Sequence, residues 1–596
     1  MTITEKLDAL RTLMKERNMD AYMIPTSDFH ETEYAGEHFQ ARRYMSGFSG
    51  SAGTLVVCHD SAGLWTDGRY FIQAAKELEG SAIDLMKMAV PGTPTILEYL
   101  LEHMKEGTCL GFDGRVINTA MAETMTEGLK EKNIVISCDE DLVDIIWEDR
   151  PSLPKEKAWE LDVKYCGRSC KEKLKDIRAE LTKKDCDMLI MTTLDEVAWT
   201  FNIRGNDIPC YPVVLAYAIV TTKETYMFVD ASKLDDALKH TFAEENIIIK
   251  GYDDIYEFVK HIENCRVMMD DTTVNYRIKS SLSETVDIVN QKSPVQLWKA
   301  CKNRVEQENN KLAHIKDAVA VTKFMYWLKR NIGSLEMTEV SAAEKLLEFR
   351  KQQEGFIEPS FDTIAAYNAN AAMMHYHAVP ETCATLKPEG LLLVDSGGQY
   401  YEGTTDITRT FALGPVSEEI RIHFTAVLRS LIALSKAKFL HGCIGMNLDI
   451  LARGPIWDMN IDYRCGTGHG IGFVLNVHEA PNGFRWKIVP ERNDSAVLEE
   501  GMTTSNEPGI YIEGSHGIRL ENEIVVCKGE ENEYGQFMHF ETITFVPMDL
   551  DVIDASLLTF YEKQWLNEYH KQVYEKVSPY LSDEEAAWLK TYTRAI

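Results

Sequence analysis

The stretch Leu391 to Phe411, LLLVDSGGQYYEGTTDITRTF, carries two aspartates whose placement suggests chemistry. Leu391 to Val394 is a short apolar run that suits a buried strand, and Asp395 stands where such a strand would continue apolar. Gly397 and Gly398 let the chain turn, and Thr404 to Phe411 reads as a β-branched returning strand with Asp406 inside it. A hairpin of this kind sets the two carboxylates side by side. Buried like charges are costly unless a cation lies between them. Alone, the pair is either two exposed turn acids or half of a metal site that needs partners further along.

Candidate partners follow in order. Gly466-Thr467-Gly468-His469-Gly470-Ile471-Gly472 sets an imidazole among alternating glycines, which lets something approach backbone and ring closely. Alone, His469 is a turn residue or a ligand. Asn476-Val477-His478-Glu479-Ala480-Pro481 supplies a second histidine, and Thr504-Ser505-Asn506-Glu507-Pro508-Gly509 ends a β-rich stretch on Glu507. Further on, Ile518, Leu520 and Asn522 alternate with Arg519, Glu521 and Glu523, as on a strand with one polar face. A glutamate there is commonly solvated or paired, here with Arg519. Each motif is ambiguous alone; their order and joint presence are not.

The elements that must position these residues belong to a long chain. A length of 596 residues predicts two to four domains. Apolar content of 45% and charged content of 26% are those of a soluble globular protein. No apolar run is long enough for a transmembrane helix, and MTITEKLDALRTL has no apolar signal core. The thirteen cysteines form no CxxC pair, which together with the missing signal points to reduced thiols in the cytoplasm. A net charge of −30 argues against nucleic-acid and anionic-membrane partners, since phosphate binding needs a basic face.

Glu5 to Asn18 reads as an amphipathic helix with Leu7, Leu10, Leu13 and Met14 on one stripe, and Asp20 to Ile24 as a strand. The arrangement recurs: Leu10–Ile24 aligns without gaps on Ile177–Met191, matching Arg11 with Arg178 and Asp20 with Asp187. This predicts two related α/β domains, 1–160 and 161–305, joined near Arg150 to Lys157. The glycines of Gly47 to Gly53 read as a turn between strands, because no Lys-Ser/Thr follows them. Trp199, Phe201, Asn202, Arg204 and Gly205 read either as a structural corner or as residues reaching a neighbouring site. A third domain, 306–596, opens with helices over Asn303–Asn331 and Thr338–Gln352. It continues with mixed strands and an amphipathic helix over Ser417–Leu440, and it ends in a helical extension over about 550–596.

VDSGGQYYEGTTDITRTF, GTGHGIGFVLNVHEAP, NEPGIY and GIRLENE resemble the metal-site motifs of the pita-bread-fold metallopeptidases, the family of aminopeptidase P, prolidase and methionine aminopeptidase. The resemblance covers the whole chain. The two N-terminal domains resemble the creatinase-type domains of the three-domain, cytosolic aminopeptidases P, and the tail resembles their C-terminal extension. The fold class implied is α/β (α+β), two creatinase-type domains followed by a pita-bread catalytic domain. The family implies a dinuclear site with ligands Asp395, Asp406, His469, Glu507 and Glu521. Four carboxylates and one imidazole suit two Mn²⁺ ions, with Co²⁺, Fe²⁺ or Zn²⁺ as alternatives.

The same resemblance implies a function. A hydroxide bridging two metal ions would attack the peptide carbonyl, with Glu507 passing the proton to the leaving nitrogen. His375 and His478 would bind the carbonyl and the developing oxyanion; the role of His377 is left open. Peptides with an N-terminal Xaa-Pro would be the substrates, and a homodimer the assembly. One position departs from the pattern: where some relatives carry a histidine four residues before His469, this chain has Cys465, a poor hydrogen-bond donor. The alternatives are a prolidase, cleaving only X-Pro dipeptides, and a non-catalytic binding protein on the same fold. The two-repeat N-terminal half favours the aminopeptidase over the prolidase, and the complete ligand set disfavours the binding protein.

Overall fold

The computed structural model describes residues 1–596, all side chains except that of Glu491. The chain folds as two compact units. One comprises Met1–Glu160, Cys170–Pro209 and Val213–Pro294; the other comprises Leu161–Ser169, Cys210–Pro212 and Val295–Ile596.

In the first unit, helix α1 (Ile3–Glu16) starts at a capping box between Thr2 and Glu5 and buries Leu7, Leu10 and Met14. It leads into the first of six strands: β1 (Ala21–Pro25), β2 (Thr54–Cys58), β3 (Ala62–Thr66), β4 (Asp84–Lys87), β5 (Cys109–Gly111) and β6 (Val135–Ser137). Their order in the sheet is β4-β3-β2-β1-β5-β6. The second half repeats the plan with helix α2 (Cys170–Lys183) and strands β7 (Met188–Met191), β8 (Ala216–Thr221), β9 (Thr225–Val229), β10 (Ile247–Lys250), β11 (Arg266–Met269) and β12 (Asp287–Asn290). These order as β10-β9-β8-β7-β11-β12, the same topology with the same strand senses.

The residues matched in the sequence repeat have matching roles. Asp20 accepts the Cys109 N–H through its side chain while its own N–H reaches Cys109 O. Asp187 makes the same pair of bonds with Arg266, at 2.8 Å each. Arg11 and Arg178 each clasp the turn of the adjacent antiparallel hairpin, through Cys58 O and Thr221 O. These polar residues recur because the strand ends leave backbone groups that need partners.

Two readings of this unit are refined. The Gly47–Gly53 turn joins the helix Ala41–Ser46, not a strand, to β2. Gly47 ends that helix with φ +75°, and buried Arg42 donates to Phe48 O and Gly50 O. Trp199, Phe201, Asn202 and Arg204 are buried, and Lys173 Nζ donates to Trp199 O at 2.7 Å.

The second unit opens with α3 (Arg304–Asn331), capped by Asn303 and Glu306, and α4 (Glu339–Lys351). Helix α5 (Glu418–Ser435) ends before the expected Leu440, because Lys438–Leu440 pairs as a strand with Gly535–Thr542. The next helix is α6 (Gly445–Trp457), and the tail forms α7 (Phe560–Val577) and α8 (Asp583–Tyr592). Leu391, Leu392, Val394 and Phe411 share one core with Phe324 and Leu328 of α3, Leu431 of α5 and Leu566, Tyr569 and Val573 of α7. Each such burial contributes about 1.5–3 kcal/mol, so the helices press on the strands that carry the candidate acids.

Two sheets frame the polar residues. A three-stranded antiparallel sheet runs β13 (Ile364–Tyr367), β14 (Leu391–Ser396), β15 (Ile407–Ala412). The returning strand thus begins at Ile407, and Asp406 precedes it. Gly398–Tyr400 leaves that hairpin to pair with Phe356–Pro359 on one side and Gly403–Thr404 on the other. The other sheet has six strands: β16 (Lys438–Leu440), β17 (Gly468–Gly470), β18 (Glu479–Phe484), β19 (Thr503–Asn506), β22 (Asn522–Asn532) and β23 (Gly535–Thr542). Its order is β16-β23-β22-β19-β17-β18. The hairpin of β20 (Gly509–Ile512) and β21 (His516–Arg519) lies in sequence between β19 and β22.

Candidate metal centre

Each of the five candidate ligands sits on or beside a strand of these sheets. Asp395 is on β14 opposite Thr408, and Asp406 immediately precedes β15. His469 is the middle residue of β17, Glu507 follows β19, and Glu521 lies between β21 and β22. The glycines around His469 have a clear physical cause. A Cβ on Gly468 would lie 1.9 Å from Ser505 O, and one on Gly470 would lie 2.2 Å from Glu479 O. Only glycine fits on either side of His469 between β18 and β19, and the strand so placed delivers the imidazole to the acids.

Ligand-type atoms of Asp406, His469 and Glu521 all lie within 4.8 Å of one another. His469 Nε2 is 3.5 Å from Asp406 Oδ2 and 3.3 Å from Glu507 Oε1. Asp395 Oδ1 and Glu521 Oε1 are buried without a hydrogen-bond partner among the described residues. Orphaned carboxylate oxygens facing further carboxylates are costly unless cations are to occupy the space. The donor set therefore fits divalent metal ions.

Electrostatics agree. Burial first, then the neighbouring Asp395 and Glu507 charges, push Asp406 up to about 7, against the pull of His469. Burial and the charges of Asp406, Glu507 and Asp395 hold Glu521 well above the usual carboxylate range. Burial opposes charge on His469, yet its contacts with Asp406 and Glu507 carry it up to about 10. Carboxylates crowded this way retain protons until cations replace them.

The surrounding bonds orient the acids. Thr408 Oγ1 donates to Glu521 Oε2 at 2.7 Å and accepts from Arg519 Nε at 3.1 Å. Arg519 Nη2 lies 2.5 Å from Asp395 Oδ2, and its Nη1 donates to Tyr511 OH at 2.8 Å. Ser505 Oγ accepts the His469 N–H at 3.0 Å and donates to Glu507 Oε1 at 2.9 Å. The Asp406 N–H donates to Glu523 Oε1, which also faces His314 Nε2 at 3.0 Å. Sequence reasoning gave no role to Thr408, Ser505 and Glu523, which meet Arg519, His469 and Asp406 from distant parts of the chain.

The other candidates are placed unequally. The His478 ring stands edge-on to that of His469, centroids 4.3 Å apart. His375 and His377 lie on the segment between β13 and β14, after the turn Asn368–Ala372, with their side chains largely exposed. Cys465 packs against the core; burial, with the Glu507 charge, pushes its thiol up to about 12. Its carbonyl accepts from Arg453 Nη2 at 2.6 Å.

A cluster of acids and one imidazole between two sheets defines a metallohydrolase-type site, and comparison with known proteins narrows it. Residues 6–146 and 149–306 each match a Creatinase/Prolidase N-terminal domain model. Residues 308–528 match metallopeptidase family M24, and 536–596 match the C-terminal region of peptidase M24. Xaa-Pro aminopeptidase 1 of Dictyostelium discoideum is 39% identical, over 100% of this chain and 97% of that protein. A probable Xaa-Pro aminopeptidase P of Laccaria bicolor is 38% identical, over 98% of this chain and 92% of its own. The crystal structure of an X-prolyl aminopeptidase from Caenorhabditis elegans, described as a cytosolic enzyme with a di-nuclear active site, superposes with TM-score 0.93 at 33% identity, covering 100% of both chains.

The chain belongs to metallopeptidase family M24 and, within it, to the Xaa-Pro aminopeptidases. It is a hydrolase, a metallo-aminopeptidase with two creatinase-type domains before the catalytic one.

Proposed function

We propose that this enzyme releases the N-terminal residue from peptides with proline at the second position, and that Asp395, Asp406, His469, Glu507 and Glu521 hold its two divalent metal ions. The observation that carries the assignment is the convergence of Asp406, His469 and Glu521 with the orphaned oxygens of Asp395 and Glu521. An oxygen-rich set with one imidazole suits Mn²⁺. When bound, the ions would supply Lewis acidity and a water acidic enough to ionise near neutral pH.

The remaining work falls to side chains. Glu507, oriented by Ser505 and beside His469, takes a proton from the attacking water and delivers it to the proline nitrogen. His478 and His375 hold the scissile carbonyl and the oxyanion that develops from it. The X-Pro bond has no N–H to recognise, so the enzyme holds the carbonyl instead. The domain division we propose is 1–160, 161–305 and 306–596, with the helical extension over about 550–596; the family-model spans support it.

We also propose a homodimer in the cytoplasm. Met446, Ile450 and Trp457 are exposed on α6, with exposed Trp486 beside Trp457 and Ile488 two residues on. Such a patch on a globular unit fits a second copy. Light scattering should give twice 67.8 kDa, and Ile450→Glu should give 67.8 kDa. The cytoplasmic reading is supported by thirteen free cysteines and by the description of the Caenorhabditis elegans enzyme. Among the described residues no helix is long and apolar enough to cross a membrane.

The test of function is hydrolysis of Arg-Pro-Pro and of the dipeptide Gly-Pro after chelator treatment and Mn²⁺ addition. Metal-dependent cleavage of the tripeptide with little action on the dipeptide is expected. Preference for the dipeptide would make the enzyme a prolidase.

A further inference from the structure

We propose that Glu339 is a positioning residue for this reaction: its buried carboxylate clamps both ends of the segment that carries His375 and so sets where that imidazole meets the substrate. The proposal rests on the reading of His375 given above.

Glu339 is the first residue of α4, after the N-cap Thr338, and has 0% of its surface exposed. A buried carboxylate is ordinarily paired with a cation. Among the described residues, no Lys, Arg or His lies within ion-pair distance of it. Its four acceptor positions are taken by neutral donors instead. Oε1 accepts the Tyr367 N–H at 2.7 Å and Asn370 Nδ2 at 2.9 Å. Oε2 accepts the Ala384 N–H at 2.7 Å and the Tyr376 O–H at 2.8 Å. The N-terminus of α4 supplies the compensating positive end.

All four donors belong to the connection between β13 and β14 or to its edge. Tyr367 is the last residue of β13, and Ala384 is where the chain returns alongside α4. The return is fixed by Glu339 N–H to Ala384 O at 3.1 Å, Leu386 N–H to Met337 O at 2.8 Å and a bridge between Thr338 and Thr385. Tyr376, which donates to Oε2, is the neighbour of His375. The connection runs from 368 to 390 with only the turn Asn368–Ala372 as regular structure, a length that in compact domains usually marks a functional loop.

The start of the same segment is tied to the metal centre. Ala371 O lies 1.8 Å from where a Cβ on Gly517 would be, so the turn presses on the backbone of β21. Two residues along that strand, Arg519 holds Asp395. The segment is thus anchored on one side to the wall of the metal centre and on the other to one carboxylate. Loss of the second anchor would shift the segment that carries His375, and misplacement by about 1 Å is costly to catalysis.

The experiment compares Glu339→Gln, His375→Ala and the double variant with the unaltered enzyme on Arg-Pro-Pro, recording kcat, KM, bound Mn²⁺ and Tm. Glutamine keeps the volume but turns an amide NH₂ toward two donors. Glu339→Gln should retain its metal and fold and lose about tenfold or more in kcat, and the double variant should be no slower than His375→Ala. Undiminished kcat in Glu339→Gln, or losses that multiply in the double variant, would overturn the proposal. A silent His375→Ala would instead overturn the reading of His375, and the proposal with it. Should Glu339→Gln fail to fold, Tyr376→Phe and Asn370→Ala, which each remove one donor and leave the acid, carry the same comparison. Smaller losses in kcat that vanish in the His375→Ala background support the proposal; unchanged kcat overturns it.

Discussion

Arg519 is bound to Asp395, across the sheet boundary, and not to Glu521, its neighbour but one in sequence. The guanidinium is buried, and its contacts with Tyr511 OH, Thr408 Oγ1 and the Asp395 carboxylate fix its plane. It leaves Glu521 facing the other acids, with Thr408 as its only side-chain donor among the described residues. Arg519→Gln should therefore disorder Asp395 and, through Thr408, Glu521. The expected loss is about 10- to 100-fold in metal affinity, read by titrating Mn²⁺ into the chelated enzyme. Unchanged affinity would show that Arg519 does not orient the site.

Glu507 is set apart from the other acids by its place at the end of β19, where Ser505 donates to one of its oxygens. Glu507→Gln should abolish turnover of Arg-Pro-Pro while circular dichroism remains that of the unaltered enzyme. An unfolded variant, or full turnover, would count against its role as proton carrier.

His30 gives the stability of the first unit a pH dependence. Burial lowers it from 6.5 to about 4, although Asp28 pulls the other way; its Nδ1 donates to Thr192 O and its Nε2 accepts from Tyr252 OH. The folded state thus binds the proton less readily than the unfolded chain. The stabilisation is complete above pH 6.5 and is lost as pH falls toward 4, on the order of 3 kcal/mol over that window. Thermal unfolding at pH 7.5 and at pH 5 should differ more for the unaltered protein than for His30→Gln. An equal difference in both would assign the acid sensitivity elsewhere.

Glu479, one residue after His478, lies buried with Lys299 Nζ at 3.0 Å on one oxygen and Lys302 Nζ on the other. Glu479→Gln strips two buried ammonium groups of their carboxylate, a change that typically costs about 3–5 kcal/mol. Denaturant unfolding should show the transition shifted to lower concentration. An unmoved midpoint would mean that the lysines find other partners.

What the sequence revealed, and what it hid, follows from the range of the interactions. The repeat was legible at Asp20 and Asp187 because the same side chain closes the same strand end in both halves. The apolar stripe of α1 was legible because its period matches its burial, with Leu7, Leu10 and Met14 inside. The candidate ligands stood out as acids and a histidine beside glycines in strand-like segments. Other features had no local signal. The start of β15 at Ile407 reflects the extra pairing of Gly403–Thr404, and the early end of α5 reflects pairing with a strand about a hundred residues away. Arg519 resembled a partner for Glu521 because alternation places both on one face; the geometry of Asp395 decided otherwise. Glu339 carried no signal in the sequence, since its side-chain partners lie between Tyr367 and Ala384.

The most direct test of the metal centre is the Mn²⁺ content of the chelated and reloaded enzyme, measured by elemental analysis beside Arg-Pro-Pro cleavage, for the unaltered chain and for Asp406→Asn. The account predicts two ions per chain and metal-dependent cleavage in the first, with fewer ions and no turnover in the second. Two ions and full activity in Asp406→Asn would contradict it.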